Sequence, residues 1–418
     1  MSDRATCHDD FDPNSLPVPR ALQFITDKIA PVAGFERLFL RQALDRVLDE
    51  DIRSPRDVPP FANSAMDGYA LRGADLPHAG AAEFTVVGKA FAGHPFTGTV
   101  GTGEAVRIMT GAPLPEGADT VIMQERVETL PGGRIRIQAG HRTGENVRQA
   151  GEDIAVGSVV LARGRRLQPA DLGLLASLGI AEVRCRRRPR VAIFSTGDEL
   201  RPLGAVLGPG EIYDSNRYTL HALLTRLGME VLDLGAVPDD RAALAEALQS
   251  AAGEADALVT SGGVSVGEAD YVKGLLEELG EVHFWKLAMK PGRPLAFGQL
   301  GRCYFFGLPG NPVSVAATFY QFVAPALRRL AGETPRRPLR LRAVTLEPLK
   351  KRPGRVDFQR GILENDEAGR LTVRSTGNQG SHVLSSMSRA NCFIVLDQDQ
   401  GDVPAGTEVT VQYFPDLL

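Results

Sequence analysis

Cysteine is scarce in this chain: Cys7, Cys185, Cys303 and Cys392 are the four in 418 residues, and no C-x-x-C occurs. That spacing offers neither a zinc-ligand pattern nor a disulfide framework, and it suits a reducing compartment. The seven histidines are scattered, and none is read as catalytic. Apolar runs of membrane-spanning length are missing. A secretory signal pattern is missing too, because Met1 to Asn14 is polar and acidic, so a cytoplasmic protein is expected. Charge excess is also lacking. A formal net charge of −4 excludes general attraction to nucleic acid or to an anionic membrane. Any anionic ligand must therefore be held by local cations and backbone N–H groups.

What is present is ordinary globular composition, 43% hydrophobic and 23% charged, in a chain too long for one core. About two to four domains are expected. Residues 18–49 carry helically spaced apolar positions, broken near Pro31 to Gly34. Residues 54–152 are rich in proline, glycine and short apolar stretches such as Phe84–Val87 and Ile135–Ile137, a small β domain. Residues 169–183 return to helical spacing, and a basic cluster at Arg184, Arg186, Arg187, Arg188 and Arg190 follows, read as a solvated boundary. From 190 to 330 strands alternate with amphipathic helices, with Asn216 and then Asp239 or Asp240 as helix caps. That alternation argues a mostly parallel sheet covered on both faces, with ligands at the carboxyl ends of its strands. Beyond Pro335 short strands return, as in a small β barrel or sandwich.

The run Ala257 to Tyr271 is the most informative. A buried strand ends in Ser261-Gly262-Gly263-Val264-Ser265-Val266-Gly267, and a helix follows. Such a turn lets backbone N–H groups approach an anion. It equally serves as a plain βα loop that uses glycine for its dihedrals. The run is neither a Walker loop nor a dinucleotide fingerprint, since the GK[ST] ending and the G-x-G-x-x-G spacing are both missing. Two other loops fall at strand ends: Thr196-Gly197-Asp198-Glu199 and Pro309-Gly310-Asn311. Lys286, Lys290 and Arg293 surround a Pro/Gly turn, suited to phosphate or a small oxyanion, or to ordinary surface charge. Asp67, Asp198, Glu199, Asp239 and Asp270 suit a hard cation such as Mg²⁺, which takes one or two carboxylates plus phosphate and water. Each alone reads equally well as a cap or turn residue.

Together, Asn63 to Ala70, Met109 to Pro115, Ser195 to Leu200, Ser261 to Tyr271, Lys290 to Pro294 and Leu308 to Ser314 resemble the molybdopterin molybdenumtransferase family, which includes the E domain of gephyrin. The resemblance covers almost the whole chain. Ala62 stands where the family usually has Asp, and Arg293 where Lys is common. It implies insertion of molybdate into adenylated molybdopterin with Mg²⁺-dependent release of AMP. It places Gly197, Asp198, Glu199, Asp239, Asp270, Pro309, Gly310, Asn311 and the loop bearing Ser261, Gly262, Gly263, Ser265 and Gly267 at the pterin nucleotide. Asp67, Thr110 and Asp153 come from the other side of the cleft, and Lys286, Lys290, Ser314, Arg360 and Ser381 lie on the molybdate side. Asp67, Glu199, Asp239 and Asp270 are the implied Mg²⁺ ligands. The expected architecture is multidomain α/β plus β. An elongated helical dimerisation region spans 18–53 and 153–187 and a β domain 54–152, followed by an α/β molybdopterin-binding domain over 188–332 and a C-terminal β barrel over 333–418. The expected assembly is a homodimer, with other molybdenum cofactor biosynthesis proteins as further partners. Rival readings are an adenylating nucleotidyltransferase, a pyrophosphatase and a scaffold; the first lacks such helical and β domains, and no long Pro/Ser-rich linker supports the last.

Overall fold

The structure, a computed structural model, describes residues 15–262 and 270–414. Its centre is a six-stranded sheet in the order Glu230–Val237, Arg190–Thr196, Ala257–Ser261, Cys303–Leu308, Pro294–Leu300 and Gly280–Lys286. The first four strands are parallel, and the last two join antiparallel. Successive side chains of a strand point to opposite faces, so a strand covered on both sides must be apolar throughout. Val191 and Ile193 pack with Leu220 and Leu224 of the Ser215–Arg226 helix, whereas Ala192 and Phe194 pack with Leu244 and Leu248 of the Arg241–Glu254 helix. The Ser215–Arg226 cap is Asp214, whose carboxylate accepts from Arg217 N at 3.1 Å. Asn216, the expected cap, instead donates its amide to Gly310 O at 2.7 Å. Asp240 caps the next helix through Ala242 N and Ala243 N, both at 3.0 Å.

The helical expectation over residues 18–49 is only partly right. Val18–Lys28 is a helix, but it buries Ala21 and Ile25 against the α/β core, not against the Pro169–Ser177 helix. Arg329 Nε holds its end by donating to Ile29 O at 2.9 Å. Phe35–Phe39 is a strand, paired antiparallel with Glu182–Arg186. The helix ends at Lys28, Gly34 adopts φ +96° just ahead of the strand, and the Arg184 guanidinium lies 3.6 Å from the centroid of the Phe35 ring. The apparent helical stripe is divided: Leu38 is in that strand, while Ala43 and Leu48 join Leu161, Leu167, Leu175 and Val183 in a small core. The region expected to be helical therefore combines the Phe35–Phe39 and Glu182–Arg186 strand pair with the Pro169–Ser177 helix.

The expected solvated boundary is a latch. Arg184 and Arg186 both reach Asp49, at 2.8 and 3.2 Å. Arg187 grips Asp256 with two hydrogen bonds of 2.7 Å, and Arg190 N adds a third at 2.8 Å. Residues 68–138 hold a six-stranded sheet ordered Thr120–Met123, Gly68–Leu71, Glu104–Ile108, Ala81–Ala90, Arg134–Gln138 and Val127–Leu130. Towards the C-terminus, Val356–Asn365 pairs with both Leu371–Ser375 and Cys392–Leu396, while Arg340–Thr345 and Glu408–Tyr413 close the ring into a five-stranded barrel. Val356–Asn365 escaped the sequence reading because Asp357, Gln359 and Arg360 are polar yet buried. Among the described residues no helix is long and apolar enough to cross a membrane.

The Arg187 latch has a pH consequence. Burial would raise the Asp256 carboxyl, but the Arg187 and Arg190 N–H groups outweigh it and hold it below the usual range. A depressed carboxyl stabilises the fold above its unfolded pKa and loses that contribution as pH falls through its folded one. Asp256→Asn should cost about 1.5–3 kcal/mol at neutral pH, and the deficit should shrink in acid. Calorimetric unfolding at pH 7 and in acid checks both; equal unfolding temperatures at pH 7 would reject the latch.

Candidate functional site

Four loops leave the carboxyl ends of the parallel strands. Below them lies a fixed polar layer. Ser195 and Ser261, on neighbouring strands, place their hydroxyls 3.0 Å apart, and Ser195 donates to Asp214 at 3.1 Å. All three side chains are buried. Above this layer Gly262 adopts φ +89°, and a Cβ there would lie 2.5 Å from Thr196 O. The turn therefore requires glycine and holds two strand ends together. At Gly197, φ is +149°, and a Cβ would meet the Glu199 carboxylate at 2.5 Å. Glu199 is thus folded back over its own turn.

Asp198, Glu199 and Asp239 bring their negative charges together at these ends. Partial desolvation raises the Asp239 carboxyl, Asp198 and Glu199 raise it further, and the Thr196 hydroxyl acts the other way. Asp239 N donates to Asp198 Oδ1 at 3.4 Å. Such crowding favours a proton or a cation. Among the described residues, no three histidine, cysteine, aspartate or glutamate side chains form a metal-holding group by themselves. Gly263, Ser265 and Gly267 lie outside the described residues, as does the Asp270 side chain; the Asp270 backbone opens the Asp270–Leu279 helix.

The cationic half is built by the barrel. Met289–Lys290 pairs parallel with Val356–Asp357, which carries a turn of the α/β region into the barrel sheet. Gly292 beyond it, at φ +97°, packs against Thr318 and Ser314 O. Ser314 is buried, and its neighbour Val313 donates its N–H to Ser381 O at 3.1 Å. Lys290, Ser314 and Ser381 are thereby tied to one framework. Lys286, at the end of its strand, pairs in register with Pro294 at the base of the same turn. Pro309-Gly310-Asn311 precedes the Pro312–Thr318 helix and links both halves, since Gly310 O accepts from Asn216. Arg360 lies beneath this group. Its side chain is 1% exposed, with Nε on Ser386 Oγ and Nη2 on Gly380 O, both at 3.0 Å. Burial pulls the guanidinium down to about 10, with Asp357 opposing. In this arrangement Arg360 is a positioning residue that supports the Ser381 loop.

Asp67 and Thr110 meet on the small β domain. Asp67 Oδ1 accepts from Thr110 N and Thr110 Oγ1, both at 2.8 Å, which holds the exposed carboxyl below its usual range. Asp153 is exposed and donates its N–H to Val58 O at 3.0 Å. No strand pairing or backbone hydrogen bond among the described residues joins Asp67's sheet to the α/β sheet. The sequence reading missed Asp357, Lys350, Lys351 and Arg352, which surround Lys290; their signal was the run Lys350-Lys351-Arg352-Pro353-Gly354-Arg355. Burial raises the Cys185 thiol to about 11 and the Cys303 and Cys392 thiols to about 12, so none supplies a thiolate near neutrality.

Three family models match this chain in order: MoeA N-terminal region (domain I and II) over residues 16–179, "Probable molybdopterin binding domain" over 192–329, and MoeA C-terminal region (domain IV) over 342–414. The molybdopterin molybdenumtransferase of Haemophilus influenzae is 50% identical over 384 residues, 92% of this chain and 95% of that protein. The chain belongs to the molybdopterin molybdenumtransferase family. Gephyrin of Dictyostelium discoideum is 34% identical over 95% of this chain, which spans 62% of gephyrin's length. The fold agrees: the crystal structure of the molybdopterin biosynthesis MoeA protein from Pyrococcus horikoshii superposes with a TM-score of 0.84 at 31% identity, covering 96% of this chain and all of that one. Family membership makes the chain a transferase with a role in molybdenum cofactor biosynthesis.

Gly262→Ala tests the strand-end turn. Forcing a Cβ against Thr196 O at positive φ should cost about 1–3 kcal/mol and disturb the Ser261 loop. Thermal unfolding checks the cost; unchanged stability would mean that the turn accepts a side chain.

Proposed function

We propose that this protein transfers molybdenum from molybdate into adenylated molybdopterin and releases AMP. The observation that supports it most is the adjacency of two opposite halves. Gly-rich strand ends bearing Asp198, Glu199 and Asp239 stand on one side of the Pro309–Asn311 loop, and the Lys290–Ser314–Ser381 framework stands on the other. Backbone N–H groups of the Ser261 loop suit the nucleotide's phosphates. Lys286 and Lys290 suit molybdate, and Ser314 and Ser381 would orient it. Holding both reactants in one cleft supplies much of the acceleration.

The crowded carboxylates fit a hard cation that takes few protein ligands and completes its shell with phosphate and water. Glu199 and Asp239, with Asp270 and Asp67, would hold Mg²⁺, which supplies charge neutralisation at the pyrophosphate. Thr110 keeps Asp67 ionised and aimed outward, where a neighbouring chain can present its pterin loop. On this reading the enzyme is a homodimer, and each site joins Asp67, Thr110 and Asp153 of one chain to the strand-end loops of its partner. Cytoplasmic location and contact with other cofactor-biosynthesis proteins belong to the same proposal.

The deciding experiment incubates the protein with adenylated molybdopterin, molybdate and Mg²⁺ and assays AMP and pterin-bound molybdenum. Both should form together. AMP without metal transfer would identify a pyrophosphatase, and in a parallel incubation of molybdopterin with ATP and Mg²⁺, adenylated pterin formed with release of pyrophosphate would identify a nucleotidyltransferase. Lys290→Ala should raise the molybdate requirement about ten- to a hundredfold, the loss of one charge-assisted contact of about 1.5–3 kcal/mol. An unchanged requirement removes Lys290 from the molybdate side.

Asp67→Asn and Asp270→Asn should each abolish insertion. After 1:1 mixing with subunit exchange, half the dimers carry one intact site of two, so activity should return to about a quarter of wild type. No recovery despite exchange would assign each site to a single chain.

A further inference from the structure

Beside Lys290 the barrel opens a pocket of about 730 Å³. Its walls carry Lys290, Lys350, Lys351, Arg352 and Arg355, five cations against the two carboxylates Asp357 and Asp402. The lining is therefore strongly positive on a protein whose formal net charge is −4. Lys351 forms its floor and is 5% exposed. The Lys351 ammonium donates to Arg352 O, Gln398 O and Gln400 O at 2.8, 3.3 and 3.1 Å. These carbonyls solvate the ammonium without neutralising it. Asp402 takes Lys351 N at 2.7 Å and Lys350 Nζ at 2.9 Å, which fixes the turn and offsets one of the lining cations. Asp357 is 6% exposed, and burial raises its carboxyl against the Gln359 amide and the cations Lys290, Lys351 and Arg360. The two buried groups of the floor, Lys351 and Asp357, offset one another in formal charge, with Asp397 and Asp399 also acting on Lys351; the excess of lining cations stands around them on Lys290, Lys350, Arg352 and Arg355, against Asp402.

We propose that this pocket is an oxyanion vestibule. It collects tetrahedral dianions from solution and delivers molybdate past Lys290 to the Ser314–Ser381 framework. Geometry supports the direction of travel. Lys290 lines the pocket and also belongs to the turn whose Gly292 packs on Ser314 O. A concave site lined by one sign of charge raises the local concentration of its counter-ion. The pocket is wide and open, so it recognises charge more than shape, and its effect fades with salt. The proposal rests on the molybdate reading of the neighbouring framework, but its test is separate.

The test is equilibrium dialysis of molybdate against the full chain without pterin, at low and at physiological salt. Lys350→Glu and Arg355→Glu should each weaken molybdate retention by about three- to tenfold at low salt, with a smaller salt dependence than wild type. Arg370→Glu carries the same charge change on an outward hairpin, where Arg370 pairs with Asp366, and should retain molybdate like wild type. Circular dichroism confirms that the variants fold, and Lys350→Gln gives a smaller loss if Lys350→Glu does not. Equimolar sulfate should displace part of the molybdate, as a charge-reading pocket requires. Pocket variants that retain molybdate as wild type does, or losses matched by Arg370→Glu, overturn the vestibule and leave the insertion reading standing. A wild type that retains molybdate through these residues yet never forms pterin-bound molybdenum supports the vestibule and overturns the insertion reading.

Discussion

A two-residue parallel ladder carries much of this architecture. Met289–Lys290 leaves the α/β region and pairs with Val356–Asp357 at the start of the longest barrel strand. That pairing ties the barrel's cations to the α/β loops. With it, Lys290 stands opposite Asp357, Gly292 closes on Ser314, and the Ser381 loop reaches Val313. The ladder is short, so its hydrogen bonds alone are a weak joint. Buried apolar groups from both sides reinforce it: Met289, Leu287, Phe358 and Phe393 share one core with Val313 and Phe322. The site is thus positioned by a continuous core that runs from the sheet into the barrel.

Electrostatics divides the same region into two halves of opposite sign. At the strand ends, Asp198 and Glu199 raise Asp239. In the barrel, Arg360 and Lys351 lose affinity for their protons through burial. Neither half is arranged for folding stability, because crowded carboxylates at the strand ends and buried cations in the barrel each cost free energy that hydrogen bonds only partly return. The latch at Arg187 and Asp256 shows the opposite design, with opposite charges bidentate and satisfied. Perturbed charged groups beside a well-paired scaffold are the features of a candidate ligand site.

Where apolar period decided structure, the chain was legible. The inner strands Arg190–Thr196, Ala257–Ser261 and Cys303–Leu308 read correctly because burial on both faces makes them nearly continuously apolar, and the loops at their ends follow from that. Phe35–Phe39 did not read as a strand, since Leu38, Leu40, Ala43 and Leu48 keep helical spacing while their partners lie in 161–185. No local pattern records a pairing across more than a hundred residues. The Val356–Asn365 strand was hidden for a related reason: its Asp357, Gln359 and Arg360 are buried only because the barrel closes over them. The candidate site was legible as motifs. The supporting role of Arg360 and the Lys350–Arg355 wall were not, because each depends on what the barrel brings beside Lys290.

Asp67 completes the physical argument. Its carboxylate is held by two Thr110 hydrogen bonds, stays ionised, and faces solvent on a sheet with no backbone pairing to the strand-end loops. A side chain fixed by both a backbone and a hydroxyl donor pays its ordering cost before any ligand arrives. Nothing in the small β domain's cores requires that cost, since those cores are assembled from Ala70, Val106, Ile108, Leu71 and Ile122. Preorganisation of an exposed anion is useful only if a positive or hydrogen-bond-donating group is brought to it. The acidic strand ends meet that need through a shared cation, which would let two negatively charged surfaces approach. On the proposed reading the cation therefore acts on assembly as well as on the pyrophosphate, because it lowers the repulsion between Asp67 of one chain and the carboxylates of the other.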